Sequence, residues 1–142
     1  MGRILAIDYG RKRVGLAVTD PLQLIANRLT TVQAHVIFDF LTDYFSKEEV
    51  DLVVVGYPKT MKDEPSESIR YINPFLKQFQ KKFPTVELEL VDERFTSKIA
   101  FQTMIDAGLK KNDRQNKELV DAISATLILQ FYLEQRRNKA NK

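Results

Sequence analysis

The most restrictive feature of the sequence is a run of four apolar residues, Ile4-Leu5-Ala6-Ile7, that ends in a carboxylate, Asp8. Successive side chains of a β-strand point to opposite faces, so a strand that is apolar at every position suits a sheet covered on both sides. A second β-favouring run, residues 14–19 (VGLAVT), follows across Gly10-Arg11-Lys12-Arg13. Residues 3–8 and 14–19 therefore read as a β-hairpin, and residues 29–33 (LTTVQ) as a third strand.

After this opening the pattern changes from strand after strand to strands separated by helices. Ile37, Phe40, Leu41 and Tyr44 recur at helical spacing within residues 34–47, and residues 52–55 form a continuous apolar run closed by Gly56. Residues 57–65 carry two prolines and several charges and read as a loop. Ser66 is placed to cap a helix with a stripe of Ile69, Ile72, Leu76 and Phe79, which Pro74 is expected to kink or shorten. Residues 86–91 (VELELV) alternate as a half-exposed strand does. Ser97 to Gly108 reads as a capped helix bearing Ala100, Phe101, Met104 and Ile105, and a last helix is predicted from Asn116 to Arg136. The expectation is an α/β fold with a mixed β-sheet flanked by helices, because crossovers through helices join parallel strands while the hairpin supplies antiparallel ones.

Length and composition bound the rest. With 142 residues, 44% of them apolar and 29% charged, the chain reads as one soluble domain, here taken as residues 1–137 with a short basic, flexible tail at 138–142. No cysteine is present, which removes thiolate metal sites, thiol nucleophiles and redox motifs; the lone His35 disfavours histidine-based triads and metal centres. The first residues are too poor in apolar side chains for a signal peptide and no run could span a bilayer, so a cytoplasmic protein that does not enter membranes is expected. The 22 basic residues exceed the 19 acidic ones by three. Without Arg136, Arg137, Lys139 and Lys142 the count is 18 against 19, so nucleic-acid affinity would have to come from local patches.

Ligands of α/β sheets bind beyond the carboxyl ends of strands, and three groups of acids, two at such ends and one on the last helix, are candidates to meet there. Asp8 ends the doubly apolar run, where a carboxylate needs a cation or else serves as an ordinary turn residue. Asp92 and Glu93 end the fifth predicted strand. Alternation places Asp92 with Leu88 and Leu90 and favours it as the inward acid, although a polar turn paired with Arg94 explains the same residues. Asp121 lies near the start of the last helix beside small residues Ala122, Ser124 and Ala125, where an acid also suits the helix dipole. Taken jointly, two strand ends and a helix can bring carboxylates onto hard divalent cations, Mg²⁺ or Mn²⁺, an arrangement for phosphodiester hydrolysis by two ions that needs neither histidine nor cysteine. Basic residues fall in the adjoining loops: Arg11, Lys12 and Arg13, then Lys59 and Lys62, Arg94 and Lys98, and Lys117. They are placed to hold a phosphate backbone.

The segments DYGRKRVGLAVTD, VVVGYP, DERFTS and KELVDAISATLILQ, in that order, resemble the YqgF (RuvX) family of Holliday-junction-resolvase-like nucleases over nearly the whole chain. The resemblance implies a ribonuclease H-like fold and a metal-dependent nuclease active in 5′-end processing of precursor 16S ribosomal RNA. Its implied partners are structured RNA, branched DNA and pre-ribosomal particles. It also implies Asp8, Glu93 and Asp121 as catalytic and metal-binding residues, which replaces Asp92 by Glu93 and leaves Asp92 as the alternate ligand. Two departures stand out. The loop after Gly56-Tyr57-Pro58 contains no glycine, and Ser124 occupies the position one turn after Asp121 where junction resolvases of this fold carry a second acid. Two rival classes remain. Asp8-Tyr9-Gly10 with Gly15 also looks like the phosphate-binding hairpin of actin-like ATPases and sugar kinases, whose second lobe this length does not accommodate, and a non-catalytic nucleic-acid-binding module fits the same basic loops. Monomer and homodimer are both compatible with the sequence.

Overall fold

The computed structural model describes residues 2–57, 69–92 and 117–140, with the backbone alone for Ile69, Asp92, residues 117–122 and residues 139–140. The strands are β1 (Arg3–Tyr9), β2 (Arg13–Thr19), β3 (Ala26–Gln33), β4 (Val50–Tyr57) and β5 (Glu87–Asp92). The helices are α1 (Ile37–Lys47), entered through a 3₁₀ turn at Ala34–Val36, α2 (Ile69–Lys82) and α3 (Lys117–Ala140). The helix expected between Ser97 and Gly108 and the loop and cap around Ser66 lie outside the described residues.

The sheet order is β3-β2-β1-β4-β5, with β1 central. Antiparallel pairing joins β1 to β2 and β2 to β3, and parallel pairing joins β1 to β4 and β4 to β5. The sheet is mixed, as the change from hairpin to strand–helix alternation requires.

The doubly apolar run does what its composition demands. Leu5 and Ile7 pack under α1 and α2 with Ile37, Leu41, Phe75 and Phe79, whereas Ile4 and Ala6 pack under α3 with Ala125, Ile128 and Leu129. All four β1 residues are fully buried. The sheet is thus the middle of three layers. Within the described residues no helix is long and apolar enough to cross a membrane.

Two local expectations change. Helix α2 includes Pro74 and continues to Lys82, and its buried stripe is Ile72, Phe75 and Phe79, with Leu76 of the expected stripe only half-buried. A helix-interior proline costs about 3 kcal/mol. Burying each of those side chains contributes roughly 1.5–3 kcal/mol, which together exceeds that penalty. Arg70, whose carbonyl loses its partner, is exposed and open to water. The second change is at the other end of the chain. Helix α3 continues past its expected end to Ala140, and Arg136 and Arg137 clamp the β2–β3 loop. Arg136 Nη1 donates to Gln23 Oε1 at 2.7 Å, and Arg137 Nη2 donates to the Leu24 carbonyl at 3.0 Å.

Candidate active site

Parallel pairing sets the carboxyl ends of β1, β4 and β5 along one rim. Ile7 is level with Val55 and Val55 with Leu90; two residues further, Tyr57 is opposite Asp92. Asp8 sits at this rim, half-buried and paired across the hairpin with Gly15. Its face follows from the pleat. Ile4 and Ala6, of the same parity, lie under α3, and so does Ala17, the residue that follows Gly15 on that face of β2.

Tyr9 fixes the strand's end from the opposite side. Its ring stacks on Phe75 with centroids 4.3 Å apart and planes 17° apart, and Tyr71 lies 6.1 Å away. Burial, and then Tyr71, push the Tyr9 hydroxyl above its usual 10.0, so it remains a neutral hydrogen-bonding group at neutral pH. Tyr57 Oη donates to Asn73 Oδ1 at 3.0 Å and ties the end of β4 to α2 in the same way. With the tyrosines anchored to α2, the strand end is held in the register that presents Asp8 to the α3 side.

Helix α3 approaches that rim by its amino-terminal half. Its carboxyl-terminal half is fastened to Gln23 and Leu24, and Gln23 Nε2 in turn donates to the Gly2 carbonyl at 2.7 Å, beside the amino end of β1. From Arg136 back to Asp121 the helix rises about 22 Å. From Arg3 to Asp8 the strand advances about 17 Å. Helix and strand therefore run antiparallel over nearly the same length, and the Asp121 turn, one turn before the fully buried Ala125, lies towards the end of the sheet that carries Asp8. The side chains of Asp121 and Lys117, as of Asp92, are not among those described. Glu93, Lys59, Arg94 and Lys98 lie outside the described residues altogether. Accordingly no cluster of three metal-ligating side chains occurs among the described residues. The one acid of the expected set that is described, Asp8, is a hard oxygen donor of the kind Mg²⁺ and Mn²⁺ take.

The expected cations of the hairpin tip are at the same rim. Gly10 N donates to the Arg13 carbonyl at 2.9 Å, closing a turn so tight that a Cβ on Gly10 would stand 2.6 Å from that oxygen. Ala34 N donates to the Lys12 carbonyl at 2.8 Å and ties the tip to the end of β3. Arg11, Lys12 and Arg13 thereby line a concavity of about 580 Å³ across from Gln33, Ala34 and His35. Gln33 and His35 were passed over in the sequence. Only the three-stranded antiparallel order, which returns the end of β3 to the hairpin tip, signals their nearness.

Comparison with known proteins settles the lineage. Residues 2–135 match the RuvX family, described as Holliday junction resolvase. The chain belongs to the RuvX family. Its relatives include a protein of Phocaeicola vulgatus, 59% identical over 137 residues that make up 96% of this chain and 99% of that one. A protein of Christiangramia forsetii is 60% identical over 133 residues, 94% of this chain and 98% of its own. Both are named "Putative pre-16S rRNA nuclease". Among solved structures, Thermus thermophilus RuvC in complex with a Holliday junction substrate superposes with a TM-score of 0.56 at 15% identity, over 95% of this chain and 96% of that one. At that identity the likeness concerns the fold, and this RuvX-family chain is accordingly a ribonuclease H-like α/β protein.

Proposed function

We propose that this chain is a divalent-metal-dependent nuclease that hydrolyses phosphodiester bonds in 5′-end processing of precursor 16S ribosomal RNA in the cytoplasm, with Asp8, Glu93 and Asp121 as its catalytic and metal-binding residues. The observation that carries the reading is the position of Asp8, a half-buried carboxylate at the carboxyl end of the central strand, on the face covered by the helix that bears Asp121. The names of its full-length relatives supply the substrate.

The parity of β5 supports Glu93 over Asp92. Val91 packs on the α3 face, the face of Asp8, and Glu93 follows Val91 by two residues. A bound pair of Mg²⁺ or Mn²⁺ ions would activate water and balance charge on the cleaved phosphate. The chain's own part is to hold the ions by carboxylates and to hold the strand by cations. Arg11, Lys12 and Arg13 take backbone phosphates on the hairpin side, and Lys59, Arg94, Lys98 and Lys117 are assigned the same role on the other. Pre-ribosomal particles are the setting in which such a substrate is met.

The family description favours a second substrate, a four-way DNA junction. A side-by-side cleavage assay with a precursor 16S RNA fragment and a synthetic junction, each with Mg²⁺ or Mn²⁺, separates the two. Faster turnover of the RNA is the expected result. Absence of metal-dependent cleavage of either substrate would leave a binding module in place of an enzyme.

A further inference from the structure

We infer that the concavity at the hairpin tip is a separate backbone subsite, which seats a phosphate of the nucleic-acid strand about two or three nucleotides from the one cleaved at Asp8. The inference deepens the nuclease reading and rests on it for the location of the scissile bond.

Three consecutive cations in a closed turn face the end of β3 across about 580 Å³, and no carboxylate is among the described lining residues. The turn is braced at both ends, by Gly10 N to Arg13 O and by Ala34 N to Lys12 O, so the cations are presented by a fixed backbone. The opposite wall, Gln33 and His35, supplies an amide and an imidazole, both able to donate to phosphate oxygen. Gln33 pairs with Arg13 on β2, and β3 lies two strands from β1. Two strand spacings and two residues along the strand put this wall about 12 Å from Asp8. At a rise of about 3.4 Å per nucleotide, or more in an unstacked strand, that distance corresponds to the stated two or three nucleotides. A strand crossing the rim from Asp8 over the hairpin therefore meets positive charge and hydrogen-bond donors at the spacing of its own phosphates.

The test uses Gln33 and His35, both exposed, and reverses the sign of the wall. Binding of fluorescein-labelled RNA hairpins with single-stranded extensions of graded length is measured by anisotropy in EDTA, where no cleavage occurs. The double variant Gln33→Glu/His35→Glu should weaken binding about threefold to tenfold and Gln33→Lys/His35→Lys should tighten it, with a salt dependence steeper by about one ion. Both effects should vanish when the extension is cut to one nucleotide on the flank concerned. Equal affinities for wild type and both variants, or the same change with the shortened RNA, would overturn the subsite. Loss of affinity in both variants alike would indicate a damaged fold and likewise overturn it. If the variants behave as expected but the wild type cleaves nothing with Mg²⁺ or Mn²⁺, the subsite stands and the nuclease reading falls.

Discussion

The two ends of β1 lie about 20 Å apart on one strand and are built on different plans. At the amino end polar groups are locked to one another. Thr19, fully buried, accepts from Ile4 N at 2.9 Å and donates to the Asp20 carbonyl at 2.8 Å. Arg3 bonds the Thr19 carbonyl at 2.9 Å and Glu48 at 3.2 Å, and Asp20 receives the backbone N–H groups of Leu22, Leu24 and Ile25. At the carboxyl end the Tyr9 ring stacks on Phe75 on the α2 side, and three consecutive cations line open volume at the hairpin tip. One end is closed by polar contacts, and the other carries the hairpin cations beside a concavity. The difference teaches where substitutions should affect chemistry and where they should affect stability.

The sharpest way to break this comparison is Asp8→Asn. Cleavage that depends on Mg²⁺ or Mn²⁺ should fall by about 10³-fold or more, an effect on turnover and not on KM. RNA binding in EDTA and the urea unfolding midpoint should stay close to wild type, since asparagine keeps the shape of the side chain and its capacity to hydrogen-bond. Undiminished cleavage would remove Asp8 from the mechanism, and a large drop in midpoint would make the carboxyl rim a structural element like the other.

Thr19→Val makes the complementary change at the amino end. The new side chain fits the same volume but leaves Ile4 N–H without its acceptor in the interior, which should cost about 1–3 kcal/mol of unfolding free energy. Turnover per folded molecule should be unchanged. Urea denaturation followed by circular dichroism, beside a cleavage assay corrected for folded fraction, checks both halves.

How much of this was legible in the sequence differs between the same two ends. The strand apolar on both faces announced the three layers, and its terminal acid announced a half-buried carboxylate at the carboxyl rim, because burial and position at a strand end are properties of a short segment. The amino end was opaque: Arg136 and Arg137 bond residues 113 positions away, a separation that no local pattern signals. Strand β5 is covered differently from what its alternation suggests, for a physical reason. Leu88 and Leu90 suggested the inward face, yet β5 is the last strand of the sheet and Leu90 is 49% exposed, while Val91 is the buried residue, on the α3 side. On an edge strand, alternation separates two partly covered faces and does not tell which layer holds the site. Pro74 lies inside α2, where the aromatic stripe around it outweighs one missing hydrogen bond. The hairpin concavity was invisible because Gln33 and His35 carry no motif and reach the tip only through strand order.

A pH experiment sharpens the comparison further. The Ile25 N–H, opposed by desolvation and helped by Leu24 and Leu22, holds the Asp20 carboxyl below its ordinary value of 3.8. A carboxyl lowered in the folded state adds stability that is present above the unfolded value and disappears as pH falls through the folded one. Asp20→Asn should therefore flatten the acid limb below about pH 4 in a plot of unfolding midpoint against pH, and reduce stability modestly near neutrality. An unchanged acid limb would show that the Asp20 cap contributes nothing to the closed end.

The smallest effect belongs to neither rim. Lys47 and Asp43 form an i,i+4 pair at 3.1 Å on the outer surface of α1, with side chains 71% and 64% exposed. Water and salt screen such a pair, so Lys47→Ala should shift unfolding free energy by only about 0.3–0.5 kcal/mol, and less at 1 M salt. The orientation is the favourable one, acid before base, and Lys47 also faces the carboxyl end of the helix dipole, so the sign should be destabilising. Differential unfolding of wild type and variant at low and high salt reads it directly. A loss as large as that of Thr19→Val would mean that stability is spread evenly over the surface, and the division between a closing end and a working end of β1 would lose its energetic basis.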